Sequence, residues 1–175
     1  SILHLEHRER APDMLATMSW LKYDTVAIPR ILDMYERHGI KQTFFYPAWC
    51  MEQYPHLVDM ILEGGHEIAA HGYLHENPNK LKPEEELYWF DRQVEVIKKM
   101  TGKSPRGWRA PLNNYSKSSL DYMVDKGMIY DASLMGDDIP YILQTDKGQV
   151  IELPSQWAMD DWPHYTHAPD MHYMM

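Results

Sequence analysis

Cysteine occurs once in the 175 residues, at Cys50, so no disulfide can form within the chain and nothing in its composition calls for an oxidising compartment. A reducing cytoplasm is the expected location. Long apolar runs are missing as well: none approaches the roughly 18 residues that a membrane-spanning helix needs. Residues 1–20 lack the charged-then-apolar layout of a secretion signal. Basic residues are scarce, 17 against 26 acidic for a formal net charge of -9, and they form no cluster. That argues against a nucleic-acid backbone or an anionic membrane as the main partner and leaves a small neutral or polar substrate. No repeat, low-complexity tract or flexible linker interrupts the sequence, so residues 1–175 are expected to form one domain. A chain of this size buries roughly two-thirds of the surface that its unfolded form exposes.

What is present alternates between two kinds of segment. From Val26 to His38, Ile28, Ile31, Leu32 and Tyr35 recur at helical spacing, Pro29 sits in the first turn and Gly39 is the stop. "KQTFFYP" then reads as a strand. Pro55 opens a helix with Leu57, Val58, Ile61 and Leu62 on one side, ended by Gly64 and Gly65. "HEIAAH" is the next strand. From Pro83 to Met100, three glutamates suit the positive end of a helix dipole and Lys98 and Lys99 the negative end, with Leu87, Phe90, Val94 and Ile97 as the expected buried stripe. "RGWRAP" follows as a strand, Ser116 is the expected cap of a helix holding Leu120, Met123 and Val124, and "MIYDAS" and "QVIELP" are the last two strands.

Strands separated by helices imply parallel pairing with right-handed crossovers, an α/β layout in which loops at the carboxyl ends of the strands converge on one face. The residues expected there are Pro47, Trp49 and Cys50, then His71 and His75, then Arg109 and Pro111, then Asp131, Asp137 and Asp138, then Asp160, Asp161 and Trp162. His71 and His75, one turn apart beyond "HEIAAH", can face a single point. A divalent cation takes such a pair with a carboxylate and keeps positions open for water and substrate. Two histidines at this spacing are also readily solvated residues near a turn, and only their place above the sheet favours the ligand reading. His66 starts its strand and is read as structural. Glu67 is expected to meet a partner beside it, and Cys50 is read as a small buried or pocket-lining thiol. The irregularly spaced His164, His167 and His172 carry little weight.

Taken together, "GHEIAAHGYLHENP", "GWRAP", "YDASLMGDD" and "ELPSQWAMDDWP" resemble the motifs of the polysaccharide deacetylase (NodB-homology) family. They are most similar to its bacterial cytoplasmic branch, which includes allantoinase-like and cyclic-imide hydrolases. The resemblance runs from about Val26 to Trp162. It implies a distorted (β/α) barrel of fewer than eight strands, with His71 and His75 as metal ligands and Arg109 as the residue that orients a catalytic aspartate. The implied cofactor is a divalent metal ion, zinc first, although this ligand set also accepts cobalt, nickel or manganese. The implied reaction is hydrolysis of a non-peptide C–N bond, in which an aspartate takes the proton of water and an oxyanion is stabilised.

The sequence also departs from the family. The acidic pair that ends the family's first strand has no counterpart between Ser1 and Asp24, and the Leu-x-His-Pro motif of the last strand is absent. The expectation is an incomplete barrel, lacking the first and last strands, from within a longer chain. Unpaired strand edges and 12% aromatic content would allow self-association. Within these limits Asp160 and Asp161 join Arg109 as catalytic candidates, and Trp49, Pro111 and Trp162 are candidates for contact with a small-molecule or oligosaccharide substrate. Three readings stay open. They are deacetylation of an N-acetylated sugar, hydrolysis of a cyclic imide or ureide in a smaller pocket walled by Trp49, Trp108 and Trp162, and a non-catalytic ligand-binding module.

Overall fold

A computed structural model describes residues 22–160 of the protein. Asp161, Trp162 and the histidines beyond them lie outside the described residues. In chain order the main elements are α1 (Ile28–His38), β1 (Thr43–Tyr46), α2 (Ala48–Gln53), α3 (Pro55–Glu63), β2 (Glu67–Ala70) and α4 (Pro83–Thr101). They continue with β3 (Gly107–Trp108), α5 (Ser119–Asp125), β4 (Tyr130–Asp131), β5 (Tyr141–Gln144) and β6 (Gln149–Glu152). The helix boundaries follow the backbone chemistry. Pro29, Pro55 and Pro83 occupy first turns, where the missing N–H costs nothing. Gly39 and Gly102 close α1 and α4 in the left-handed conformation.

The strands form one sheet in the order β1-β2-β3-β4-β6-β5. β1, β2, β3, β4 and β6 run parallel, as α/β crossovers require, and β5 pairs antiparallel with β6. Tyr46, Ile68, Ala70, Trp108 and Val150 project to one side of the sheet. There they meet Leu57, Ile61, Phe90, Ile97 and Met123 from α3, α4 and α5 in the hydrophobic core. The result is a mixed α/β fold whose sheet, among the described residues, stays open between β1 and β5, which is the incomplete distorted barrel expected from the sequence. No helix among the described residues is long and apolar enough to cross a membrane.

Several expectations need correction. The sequence reading has five strands and no reversal, whereas β5 is a sixth strand joined to β6 by the turn Thr145–Gly148, in which Thr145 N–H donates to Gly148 O at 2.8 Å. The segment after Pro47 is itself a helix, α2. Ser116 does not cap α5: Ser118 takes that place without a side-chain bond, and Ser116 Oγ instead accepts the Ser118 N–H at 3.0 Å in the preceding turn. The buried stripe of α4 is Glu86, Phe90, Gln93, Val96 and Ile97, and Leu87 stays 37% exposed. The stripe is rotated because two polar residues have buried work there, Glu86 accepting from Ser119 Oγ at 2.6 Å and Gln93 holding a backbone amide at 2.8 Å. Trp108 is not a pocket wall. It is 1% exposed and packs against Phe90 and Tyr115 on the helical side.

One glycine is dictated by close approach. A Cβ on Gly107 would lie 2.0 Å from the Tyr130 ring of the neighbouring strand, so the β3–β4 pairing is open only to a residue with no side chain.

Candidate functional site

The chain leaves β2 at Ala70 and turns at once, and almost every polar group of the turn is accounted for. Gly72 N–H donates to Gln93 Oε1 at 2.8 Å, and the Tyr73 and Leu74 amides donate to the Glu76 carboxylate at 3.0 Å and 2.7 Å. The carbonyls of Gly72 and Tyr73 accept from the Ala48 and Trp49 amides at the start of α2, at 3.1 Å and 2.9 Å. Gly72 sits at φ 73°, and a Cβ there would come within 3.0 Å of both Glu76 Oε1 and Pro111 Cγ. His75 takes the left-handed conformation at φ 65°, which is costly for a residue with a Cβ and persists only where its surroundings fix it.

This loop brings the two imidazoles together. The rings of His71 and His75 meet edge to face with centroids 4.6 Å apart. His71 Nδ1–H donates to Arg109 O at 2.8 Å, so the tautomer is set and the Nε2 lone pair remains available, the second-sphere arrangement common for metal-bound histidines. Burial, with the nearby His75 acting in the same direction, pushes the His71 pKa down to about 3, against the opposing effect of the hydrogen bond to the Arg109 carbonyl. The ring is therefore neutral at physiological pH, as a metal ligand must be. The donor set fits part of a divalent metal site. Among the described residues no three His, Cys, Asp or Glu side chains converge, so the carboxylate that would complete it is not among them.

Arg109 links these rings to a cleft. Its amide donates to Ala70 O at 2.9 Å, its Nε–H donates to Ala132 O at 2.6 Å, and its guanidinium lies 4.4 Å from the centre of the Phe45 ring, a cation–π distance. Burial draws the guanidinium below its ordinary pKa, opposed by the charges of Asp131 and Asp160. The side chain lines a cleft of ≈ 320 Å³ with Asp137, Asp138, Pro154, Ser155, Gln156, Met159 and Asp160. A larger hollow of ≈ 490 Å³, bordered by His66, Lys41 and Glu63, lies at the other end of the strands.

The candidate residues are thus partly assembled. His71, His75 and Arg109 form one unit, and Asp160 shares the cleft with Arg109. Asp161 and Trp162 lie outside the described residues. Trp49 stands at the start of α2 with its amide on the histidine loop, whereas Pro111 is buried against Gly72. Asp131 is buried at the end of β4 and does not line the cleft. Cys50 is partly buried, with its thiol pKa raised by burial, so it is not poised as a nucleophile. His66 is structural: Nδ1 accepts the Gln42 N–H at 3.1 Å, and its ring packs on Tyr35 and Phe44. Glu67 accepts from Thr43 Oγ1 at 2.9 Å. Gln93 and Glu76 escape the sequence reading. The available signal was a glutamine on the apolar side of α4.

The family model for polysaccharide deacetylase matches residues 13–130. This chain belongs to that family. A peptidoglycan deacetylase of Helicobacter pylori is 31% identical over 162 residues, covering 79% of this chain and 55% of that protein. The crystal structure of a Mycobacterium smegmatis protein described as a polysaccharide deacetylase superposes with a TM-score of 0.87 at 34% identity, over 96% of this chain and 59% of that one. Puue allantoinase superposes with a TM-score of 0.75 at 22% identity, over 84% of this chain and 49% of that one, a likeness of fold alone. The chain spans about half the length of the curated relatives it matches.

Proposed function

We propose that this polysaccharide deacetylase-family chain carries the catalytic centre of a metal-dependent hydrolase that removes the acetyl group from an N-acetylated sugar. The observation that carries the reading is the His71–His75 pair with its tautomer fixed by the Arg109 carbonyl. A divalent cation, zinc first, would be held by the two imidazoles and would supply Lewis acidity toward the acetyl carbonyl. Around it, Arg109 favours the ionised form of a neighbouring aspartate, which accepts the proton of the attacking water. Asp160, which lines the cleft with Arg109, is the residue we assign to that role, with Asp161 as its alternative. Trp49 offers an aromatic surface beside the histidine loop, and Trp162 is a further candidate for sugar contact.

Two features weigh against the cyclic-amide reading. Trp108, one of three tryptophans expected to close a small pocket, is in the core, and the cleft beside Arg109 is lined mainly by polar and acidic residues, which suits a hydroxyl-rich ligand. The relatives named as peptidoglycan deacetylases support a glycan substrate. A cytoplasmic location becomes secondary, because a chain with one cysteine forms no internal disulfide in any compartment.

The test is acetate release from chitin oligomers and from peptidoglycan fragments, with a cyclic imide alongside, by the parent protein and by His71→Ala and His75→Ala, each analysed for bound metal. The expected result is turnover of a glycan by the parent only, with metal lost in both variants. Metal retained in both variants would remove the ligand assignment. Turnover of the imide alone would move the reading to the second class, and metal binding without turnover of any substrate would move it to a binding module.

A further inference from the structure

Behind Arg109 lies a pair of acids with no place in the reaction described above. Asp131 ends β4 and Glu152 ends β6, and the two are register partners on adjacent parallel strands. Both are 0% exposed. Three of their four oxygens receive donors. Asp131 Oδ2 accepts from the Tyr115 hydroxyl and from Ser133 N–H, Asp131 Oδ1 accepts from Ser133 Oγ at 2.9 Å, and Glu152 Oε1 accepts from Leu134 N–H at 3.0 Å. Glu152 Oε2 is buried and receives none among the described residues. Neither acid forms an ion pair there. The charged and titratable groups facing the pair are Arg109 from the end of β3, Tyr115 and, from β5, Tyr141. Arg109 spends its Nε–H on Ala132 O instead.

We infer that Asp131 and Glu152 hold one proton between them, carried on Glu152 Oε2, and that the pair acts as a positioning device for Arg109. Two adjacent carboxylates that are both 0% exposed repel each other and forgo solvation when both are ionised. A proton on the one oxygen without a donor removes the repulsion and one of the two buried charges, and turns that oxygen into a donor toward Asp131, whose remaining charge is met by Tyr115 and Ser133. Burial and the Asp131 charge correspondingly raise the pKa of Glu152 to about 9. The pair then fixes the segment 132–134 from both sides, through the Ser133 and Leu134 amides. That segment in turn fixes the site: Ala132 O holds Arg109 Nε, and Ser133 Oγ accepts the Ala110 N–H at 2.7 Å. The kinetic consequence rests on the hydrolase reading, whereas the shared proton does not.

The test compares the parent with Glu152→Gln, which supplies a neutral donor of the same shape, and with Glu152→Leu, which supplies neither donor nor acceptor. Folding of each is checked by circular dichroism. Infrared difference spectra of parent minus Glu152→Gln at neutral pH should show the carbonyl stretch of a protonated carboxylic acid. Amide exchange at Ser133 and Leu134 should accelerate about tenfold or more in Glu152→Leu, which leaves the Leu134 N–H without its acceptor, and should return to the parent rate in Glu152→Gln. On a turned-over glycan, kcat should fall in Glu152→Leu with KM retained and be rescued in Glu152→Gln. Absence of the acid band, or equal damage by both variants, overturns the shared proton. Unchanged exchange in a folded Glu152→Leu overturns the positioning role. If the parent turns over no glycan, the hydrolase reading fails while the spectroscopic and exchange results still decide the pair.

Discussion

His71 and Arg109 are joined through a side chain at one end and a backbone at the other: the imidazole Nδ1–H donates to the Arg109 carbonyl at 2.8 Å, while the guanidinium of the same arginine lines the acidic cleft. A change of the Arg109 side chain should therefore leave the histidine in place. In Arg109→Lys the charge remains, but the Nε donor to Ala132 and the flat contact with Phe45 are lost. Acetate release should drop by about tenfold or more while metal content stays at the parent level. Loss of metal in this variant would mean that the carbonyl link moves with the side chain.

The second prediction concerns pH. His71 is pushed down to about 3 in the folded protein against 6.5 ordinarily, so between these values the unfolded chain binds the additional proton and stability rises with pH. The contribution is complete above about pH 6.5 and is lost as pH falls toward 3, at a slope of up to about 1.4 kcal/mol per pH unit. Urea unfolding of the metal-free protein between pH 4 and 8 measures it. The parent curve should be steeper than that of His71→Gln on the acid side, and parallel curves would refute the assignment.

Gln93 makes a third case. Gln93→Leu preserves size but leaves the buried Gly72 N–H without its acceptor, which should cost about 1–3 kcal/mol. Because Gly72 follows His71 directly, metal affinity should weaken in parallel. Thermal unfolding and a metal titration of the same sample separate the two effects.

A fourth test addresses the sheet. Gly107→Ala drives a methyl group into the Tyr130 ring and should destabilise by about 1–3 kcal/mol or more. The double variant Gly107→Ala with Tyr130→Ala should recover part of that loss, giving a coupling energy measurable in a double-mutant cycle. Simple additivity would show that the strands shift apart instead.

Much of the architecture was legible because hydrophobic period and punctuation agree. Proline at the first turns and glycine after the last locate α1, α3 and α4 to within a few residues, and the strand ends point to His71, His75 and Arg109, which the structure brings into contact. The misses have physical causes. β5 is four residues long with only alternate positions partly covered, so "YILQ" carries little burial signal, although "TDKG" after it is hairpin chemistry. Apolar spacing alone misplaces the stripe on α4, because two of its buried positions are polar. Glu86 and Gln93 are seven residues apart, two helical turns, and both are buried because both have partners. Glu152 sits at an inward position of an alternating strand, a charge where a hydrophobe would be the default, and that mismatch was the available sign of the acid pair.

The reversal of β5 has a practical consequence. Because β6 runs toward the histidine loop, the connection Thr145–Gly148 opens at the far end of the sheet, beside Asp125 and the end of α5. A fluorophore or short epitope inserted between Asp146 and Lys147 would report on strand pairing while remaining remote from His71 and Arg109, giving a sensor of folding that is blind to catalysis.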